Sequence, residues 1–414
     1  MSSKSSKYEL QSPNWLNEKF FEKILRDYLN DDKIKVVKLT VAPATVTNDH
    51  YGSVMFRTTL DYIDSKENNM SIPYIVKMSP EMESVKKDIL GSDSFIFKTE
   101  IRMYSETIPK IEEILRKYGD DTILGPKLVY AAMEPHQIIV LEDLTKQGFT
   151  TLGGKTPNEE QIKRAMLKIA KWHAVSYKLA NEEPELITTY NDGNFNLEME
   201  KIEFFASGIK SFIKNVLSVD DELKKYIPYF EKIDKTFIDS CSKMGNAYKL
   251  GDKALFVLNH GDFHYKNMMF RHKDSGKLDD LILIDFQMCY YGPAAMDLTY
   301  ALYMLLDGDT RWNRREEIIY EYFVNFQETL KKIEFKGEIP KMIDLQIDLI
   351  KYQKLETVLL AIFLPVILAF NDEDLELDQV MESAECRTKL YQHPRVMQEV
   401  KRTLPKLLYK GALE

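Results

Sequence analysis

HGDFHYKNMMF, from His260 to Phe270, and LILIDFQ, from Leu281 to Gln287, decide the reading of this 414-residue chain. They place an Asp, then an Asn five positions later, then a second Asp at the end of an apolar strand. Phosphoryl transfer to a hydroxyl needs such a set. A carboxylate must hold the attacking hydroxyl, and hard oxygen ligands must hold magnesium on the phosphates. Asp262 suits the first role, and Asn267 and Asp285 suit the second, as metal ligands.

The spacing has a geometric reason. Asp262 follows the apolar stretch Ala254 to His260, and a short loop returns Asn267 beside it as Met268, Met269 and Phe270 enter a strand. A hairpin through the polar segment Arg271 to Asp280 then lets the strand Leu281 to Ile284 deliver Asp285 to the same place.

Composition narrows the classes. A 44% hydrophobic content is that of a globular protein with a substantial core. The formal charge of -9 offers no basic stripe to track a phosphate backbone, so nucleic acid is not an expected partner. Cys241, Cys289 and Cys386 are too scattered for a disulfide framework or a CxxC metal pair, which fits a reducing cytoplasm. The opening MSSKSSKYELQ has no apolar core of a leader peptide. The longest apolar run, Val358 to Phe370, has thirteen residues and contains Pro365, short of the roughly 18 to 20 that span a bilayer. The expectation is a soluble, cytoplasmic chain without a membrane partner, a monomer being favoured.

Upstream, IPYIVK ends its alternating run at Lys77, as a strand would. The segment Phe95 to Ile108 has apolar residues at Phe97, Ile101, Tyr104 and Ile108, the spacing of an amphipathic helix, and carries Glu100. In kinase-type sites a strand Lys pairs with the α and β phosphates and is held by a helix Glu. The alternative is two ordinary solvated charges. Ala42 to Ile63 reads as two strands joined by a polar turn at Asn48 to Ser53, either a plain hairpin or a loop closing over phosphates. It is not GxGxxG, which argues against a protein kinase. Gln137 to Phe149 is a strand that stops at Glu142 and Asp143, and its backbone from Glu142 to Leu144 suits a connector that bonds an adenine edge.

These elements resemble the ecdysteroid-kinase-like proteins of insects, within the wider choline kinase and aminoglycoside phosphotransferase group. The matching stretches are NDHYGSVMFR, YIVK, FKTEIRMY, IVLEDL with GF, IAKWHAVS, LNHGDFHYKN, LIDFQ and GPAAMDLTYAL, in family order from about residue 40 to about residue 305. The resemblance implies an α+β, two-lobed, protein-kinase-like fold: a small lobe over residues 1–141 with an antiparallel sheet plus helix, a hinge over 142–148, and a large, mainly helical lobe over 149–414. It implies ATP and magnesium as cofactors and a small-molecule hydroxyl acceptor. Carried over by position, Asp262 is the catalytic base, Asn267 and Asp285 the metal ligands, and Lys77 and Glu100 the phosphate-positioning pair. Ser53 belongs to the phosphate loop, and Glu142 and Leu144 to the hinge. Gln287 stands where protein kinases have the Gly of DFG, and no APE-type segment follows.

Three further residues bear on this loop. His260 is placed to orient it by bonding backbone carbonyls, or else is a histidine satisfied within the core, and His264 is placed to touch phosphate or substrate. Asp297 either caps the helical stretch DLTYALYMLL or braces the loop. His173 lies on a helical face with Ile169 and Trp172 and reads as packing. The run Val358 to Phe370 is apolar on every side, so it predicts a buried helix broken near Pro365, either plain core or an apolar wall for the acceptor. Such a wall suits an ecdysteroid or related lipophilic alcohol. A plant or dietary hydroxyl compound is an alternative. A choline-like cation would need an aromatic cage or carboxylates, and the acidic run Asn371 to Asp378 reads as a solvated loop. A nucleotide-binding pseudokinase is the non-enzymatic reading, opposed by the intact Asp262, Asn267 and Asp285.

Overall fold

Alternation along Val54–Ile63 settles the sheet: Phe56, Thr58, Leu60 and Tyr62 are buried while their neighbours are less so. In the computed structural model, which describes residues 12–44, 53–79, 95–191, 193, 203–369, 380 and 383–414, this strand (β2) lies between β1 (Lys35–Pro43) and β3 (Asn69–Met78). With β4 (Leu128–Ala132) and β5 (Ile138–Glu142) they form one antiparallel sheet in the order β1-β2-β3-β5-β4. The inward face of β2 and β3 packs on Phe21, Ile24 and Leu25 of the helix Glu18–Leu29. Asn17 starts that helix by accepting the Phe20 N–H at 3.2 Å. Within β3, Val76 and Met78 belong to this core, so Lys77 between them faces the other side of the sheet.

The described residues of Met1–Glu106 and Gly125–Thr150 make one compact unit, and those of Thr107–Leu124 and Thr151–Glu414 the other. The expected α+β class is what the chain shows: an antiparallel sheet with helices in the first unit, a mainly helical second unit. Residues 107–124, assigned from sequence to the first 141 residues, cluster instead with the second unit. Their polar groups are satisfied there: Thr107 bonds Tyr190 at 2.7 Å, the Leu124 carbonyl accepts the Leu283 N–H at 2.8 Å, and Asp120 pairs with Lys171 at 2.7 Å.

The second unit is organised around the helix Glu159–Glu182. Asn158 and Gln161 close a capping box at its start, with bonds of 3.0 and 2.8 Å. Its buried stripe runs through Ile162, Met166, Ile169, Trp172 and His173 to Ser176, whose hydroxyl oxygen accepts the Leu258 N–H at 3.0 Å. That bond fixes β6 (Phe256–Asn259), which pairs with β9 (Tyr290–Pro293). The predicted hairpin is present as β7 (Met268–His272) and β8 (Leu278–Leu283).

Two predicted helices widen rather than run through. Phe95–Arg102 passes into a π turn at Met103–Thr107 and resumes as Ile108–Lys117. Leu355–Val358 passes into a π turn at Leu359–Phe363 and resumes as Leu364–Ala369. In each case a proline, Pro109 or Pro365, is the second residue of the resumed helix. Proline cannot donate to the carbonyl four residues back and its ring crowds it; that residue, Ser105 or Ala361, lies in the π turn in both helices. The break expected near Pro365 therefore falls in the turn before it. Among the described residues no helix is long and apolar enough to cross a membrane.

Glu356 ties four helical segments together. Its carboxylate accepts from both terminal Arg315 nitrogens at 3.2 Å and from the Tyr303 hydroxyl at 2.9 Å, and it also pairs with Lys410. Burial pushes this carboxyl up, but Arg315 and Lys410 outweigh it, and the folded pKa lies below the ordinary glutamate value. Removing one partner of such a cluster strands the others, so Glu356→Gln is expected to lower stability by about 3–5 kcal/mol at neutral pH in denaturant unfolding. Because the folded pKa is depressed, the contribution is full above the ordinary glutamate range and is lost as the pH falls through the folded value. Wild type and variant should converge in acid; a gap that stays constant would contradict this assignment.

Candidate active site

The loop after β6 turns at Gly261, whose φ is 79°. A Cβ there would be strained by the backbone and would run into the Met288 carbonyl, so only glycine fits. One side chain holds the turn. Asp297 accepts the His260 N–H on Oδ2 at 2.6 Å and the Gly261 N–H on Oδ1 at 3.0 Å. Its own N–H donates to Asn259 Oδ1 at 3.2 Å, and His173 Nε2 lies 3.3 Å from Oδ2. Tyr322 Oη is 2.7 Å from His173 Nδ1. Both ring nitrogens of His173 therefore have a hydrogen-bond partner. Of the two expectations for Asp297, the structure shows the loop contact. His173, read from sequence as packing, is also a link in this network.

His260 acts differently from expectation. Its ring bonds no carbonyl; neither ring nitrogen has a hydrogen-bond partner among the described residues. The ring instead sits among Trp172, Phe263 and Phe286, with centroids 5.8, 5.9 and 5.4 Å away. Burial holds its pKa down, against the pull of Asp297, so the ring is neutral. The loop is held through the His260 main chain, and the ring serves as apolar packing.

Asp262 follows directly and keeps 21% of its side chain accessible. Tyr300 donates its hydroxyl to Oδ1 at 2.6 Å. Asn267 Nδ2 donates to Oδ2 at 3.0 Å and to the Asp262 carbonyl at 3.1 Å. His264 Nδ1 accepts the Asn267 N–H at 3.2 Å, which leaves the ring proton on Nε2, 3.4 Å from Oδ2. Burial pushes the Asp262 carboxyl up, yet His264 and Tyr300 outweigh it and hold it at about 2. The group is therefore an ionised acceptor at neutral pH. His264 faces the carboxylate and caps the turn Tyr265–Asn267.

Asn267 and Asp285 are brought side by side by the hairpin. Met268 pairs with Leu283, and the Ile284 N–H donates to the Asn267 carbonyl at 3.0 Å. With both Asn267 amide hydrogens directed at Asp262, the side-chain oxygen is the end left to act as a ligand. Asp285 has φ 65°, an uncommon value for a residue with a side chain, and Gln287 Nε2 lies 3.5 Å from its Oδ2. A carboxylate and an amide oxygen, both hard, fit magnesium, which takes one or two protein ligands and fills the rest with water and phosphate. They do not form a complete protein cage, and no cluster of three or more His, Cys, Asp or Glu ligands occurs among the described residues.

In the first unit Lys77 Nζ lies 2.6 Å from Glu100 Oε2, and both side chains are buried. They are not the solvated charges of the alternative reading. Ser53 is buried just before β2, while residues 48–52 of the same turn lie outside the described residues, as does the acidic run 371–378. The Glu142 N–H is already given to the Lys127 carbonyl at 3.1 Å, and its carboxylate accepts the Lys127 N–H at 2.8 Å. Leu144 is buried and its carbonyl accepts the Phe149 N–H at 3.2 Å. The prominent side chain of this connector is Asp143, read from sequence only as the end of the strand and a backbone position of the connector. It bonds Arg57 at 2.7 Å and Thr145 N–H at 3.0 Å.

Tyr300 was missed. The available signal was its position three residues after Asp297, one turn along the same face of the helix Ala294–Met304. Both side chains reach the loop that follows β6.

An ionised carboxylate held beside an amide oxygen and a second carboxylate is the set of groups that phosphoryl transfer to a hydroxyl calls for. The profile of the ecdysteroid kinase-like family matches residues 47–335, and the chain belongs to that family; by family it is a small-molecule kinase. Among solved structures it is similar to the choline kinase LicA from Streptococcus pneumoniae, at 14% identity over 94% of this chain and 99% of that one, with a TM-score of 0.36. No curated protein matches.

Replacing Asp297 with Asn leaves one side-chain oxygen for two main-chain donors and turns an NH2 group toward one of them. Asp297→Asn is expected to destabilise the chain by about 1–3 kcal/mol in denaturant unfolding. An equally stable variant would remove Asp297 as the anchor of the loop.

Proposed function

We propose that this chain is an ATP- and magnesium-dependent O-kinase that phosphorylates a hydroxyl of a lipophilic alcohol, an ecdysteroid or related steroid being the first acceptor to test. The observation that carries the reading is the ionised Asp262 carboxylate, fixed by Tyr300 and Asn267 next to the Asn267–Asp285 pair. Family membership supports the same assignment.

In this reading the acceptor hydroxyl donates its hydrogen bond to Asp262. A carboxyl at about 2 is a weak base, so it aligns the hydroxyl and takes the proton only as the new O–P bond forms and the bond to the ADP leaving group breaks. That timing suits a loose transition state, in which positioning outweighs proton abstraction. The proton then leaves Asp262 for solvent. Asn267 serves twice, locking Asp262 through its amide nitrogen and offering its oxygen to the metal with Asp285. Magnesium, when bound, would neutralise charge on the phosphate oxygens. Lys77, held by Glu100, is assigned to the phosphates as the family resemblance implies, with Ser53 in the phosphate loop. Glu142 and Leu144 hold the connector in shape.

The test combines labelled Mg-ATP with ecdysone, other steroid alcohols and plant hydroxyl compounds. Asp262→Asn should lower kcat by about 10²- to 10⁴-fold with little change in ATP affinity. Asp285→Asn should instead weaken magnesium-dependent nucleotide binding, measured by calorimetry with and without the metal. The reading fails if Mg-ATP binds and nothing in the panel is phosphorylated, or if both variants keep full activity.

A further inference from the structure

An ionised carboxylate accepts about four hydrogen bonds, two at each oxygen. Around Asp262 the described residues use three of these directions. Oδ2 faces two donors, Asn267 Nδ2 at 3.0 Å and His264 Nε2 at 3.4 Å. Oδ1 faces one, the Tyr300 hydroxyl at 2.6 Å. The fourth direction is therefore on Oδ1, beside Tyr300. A hydroxyl that docks on Asp262 there brings its carbon skeleton to the Tyr300 side of the carboxylate.

That side is aromatic. The Tyr300 ring meets Phe363 edge-on, with centroids 5.8 Å apart and planes at 72°. Phe363 in turn meets Phe205 at 5.7 Å. Tyr300 is buried, whereas Phe363 and Phe205 are only half-buried. Phe363 is the last residue of the π turn Leu359–Phe363, and its neighbours Leu359 to Ile362 are all buried. The π turn thus directs one aromatic ring out of an otherwise covered segment. Gly208, two residues beyond the short helix Glu203–Ala206 that carries Phe205, lies against Ile362, where a Cβ would come within 2.9 Å. The backbone that follows Phe205 therefore lies close to Ile362, the residue before Phe363. Among the described residues, the carboxylate bonded to this row is that of Asp262.

We propose that Tyr300 is the positioning residue of the acceptor site and that Phe363 and Phe205 extend it into a specificity platform for a flat, lipophilic alcohol. This rests on the kinase reading above and names the acceptor side of that site. Tyr300 holds Oδ1 in register for the incoming hydroxyl, and the two phenylalanines carry the ring system behind it. Aromatic faces give a lipophilic skeleton apolar area and ring contact.

The closing experiment measures steady-state kinetics of the full chain with Mg-ATP and two classes of acceptor, ecdysone with other sterols on one side and choline with kanamycin on the other. Tyr300→Phe keeps the ring and loses the hydroxyl. It should lower kcat by roughly 10- to 100-fold, the loss of a hydrogen bond to a charged group, with KM for ATP unchanged. Phe363→Ala should raise KM for the sterol about tenfold or more and leave KM for ATP alone. If that variant does not fold, Phe363→Leu and Phe205→Leu carry the same comparison. A purely structural role would lower the folded fraction and leave both KM values where they were, which overturns the proposal. Tyr300→Phe with wild-type kcat, or better kcat/KM for choline or kanamycin than for any sterol, also overturns it and leaves the kinase reading standing. Absence of phosphorylation of every acceptor while Mg-ATP binds overturns both.

Discussion

The Asp297 carboxylate, accepting the main-chain N–H groups of His260 and Gly261, is the constraint on which the site depends. A loop that must place a charged acceptor to within a few tenths of an ångström cannot rely on solvated side chains. Here both oxygens of a buried carboxylate are used on consecutive amides, and Gly261 makes the turn between them possible. Asn259 and His173 then hold the carboxylate, and Tyr322 holds His173. The chain of bonds leads from this loop to the long helix Glu159–Glu182 and on to Arg315–Lys332, the two elements that pack along one another in the helical unit.

The same helix that supplies Asp297 supplies Tyr300, so one rigid element fixes both the backbone of the loop and the carboxylate it presents. This economy explains why the helix Ala294–Met304 is buried along its whole length. An amphipathic helix would leave one face to solvent. This one has β6 and β9 on one side and the helical segments from Leu355 to Ala369 on another. Movement of the helix would shift the two contacts together, so the distance between Asp262 and its loop is preserved.

Much of this was legible in the sequence, for reasons that differ by residue. Asp262, Asn267 and Asp285 could be singled out because their spacing around a hairpin is set by strand geometry, which a sequence displays directly. The Lys77 strand and the Glu100 helix were readable from period 2 and period 3.6, and the structure pairs their charges at 2.6 Å. His260 was misread because a histidine beside a turn suggests a donor, whereas burial among Trp172, Phe263 and Phe286 makes it an apolar plate. The side-chain roles of Tyr300 and Asp143 were missed for the opposite reason. Each acts through a contact remote in sequence, 38 residues from Asp262 in one case and 86 from Arg57 in the other, and no local pattern encodes such a partner. The π turns were also illegible, since a proline in the second position of a helix ordinarily signals a clean start and not the widening of the turn before it.

Those π turns bear on how a buried scaffold makes an exposed site. An α-helix that is apolar on every side has no reason to offer any residue to a ligand, and the run from Val358 onward is such a helix in composition. Pro365 removes the donor that the Ala361 carbonyl would use, the turn widens, and the extra residue rotates the side chains that follow. Phe363 emerges half-buried from a segment whose preceding four residues are covered. A core helix can thus line a site without a polar residue in it, provided that the backbone and not the composition breaks the symmetry. In the acceptor site proposed above, polar recognition would rest on the carboxylate that the loop holds in place, and shape on the rings beside it.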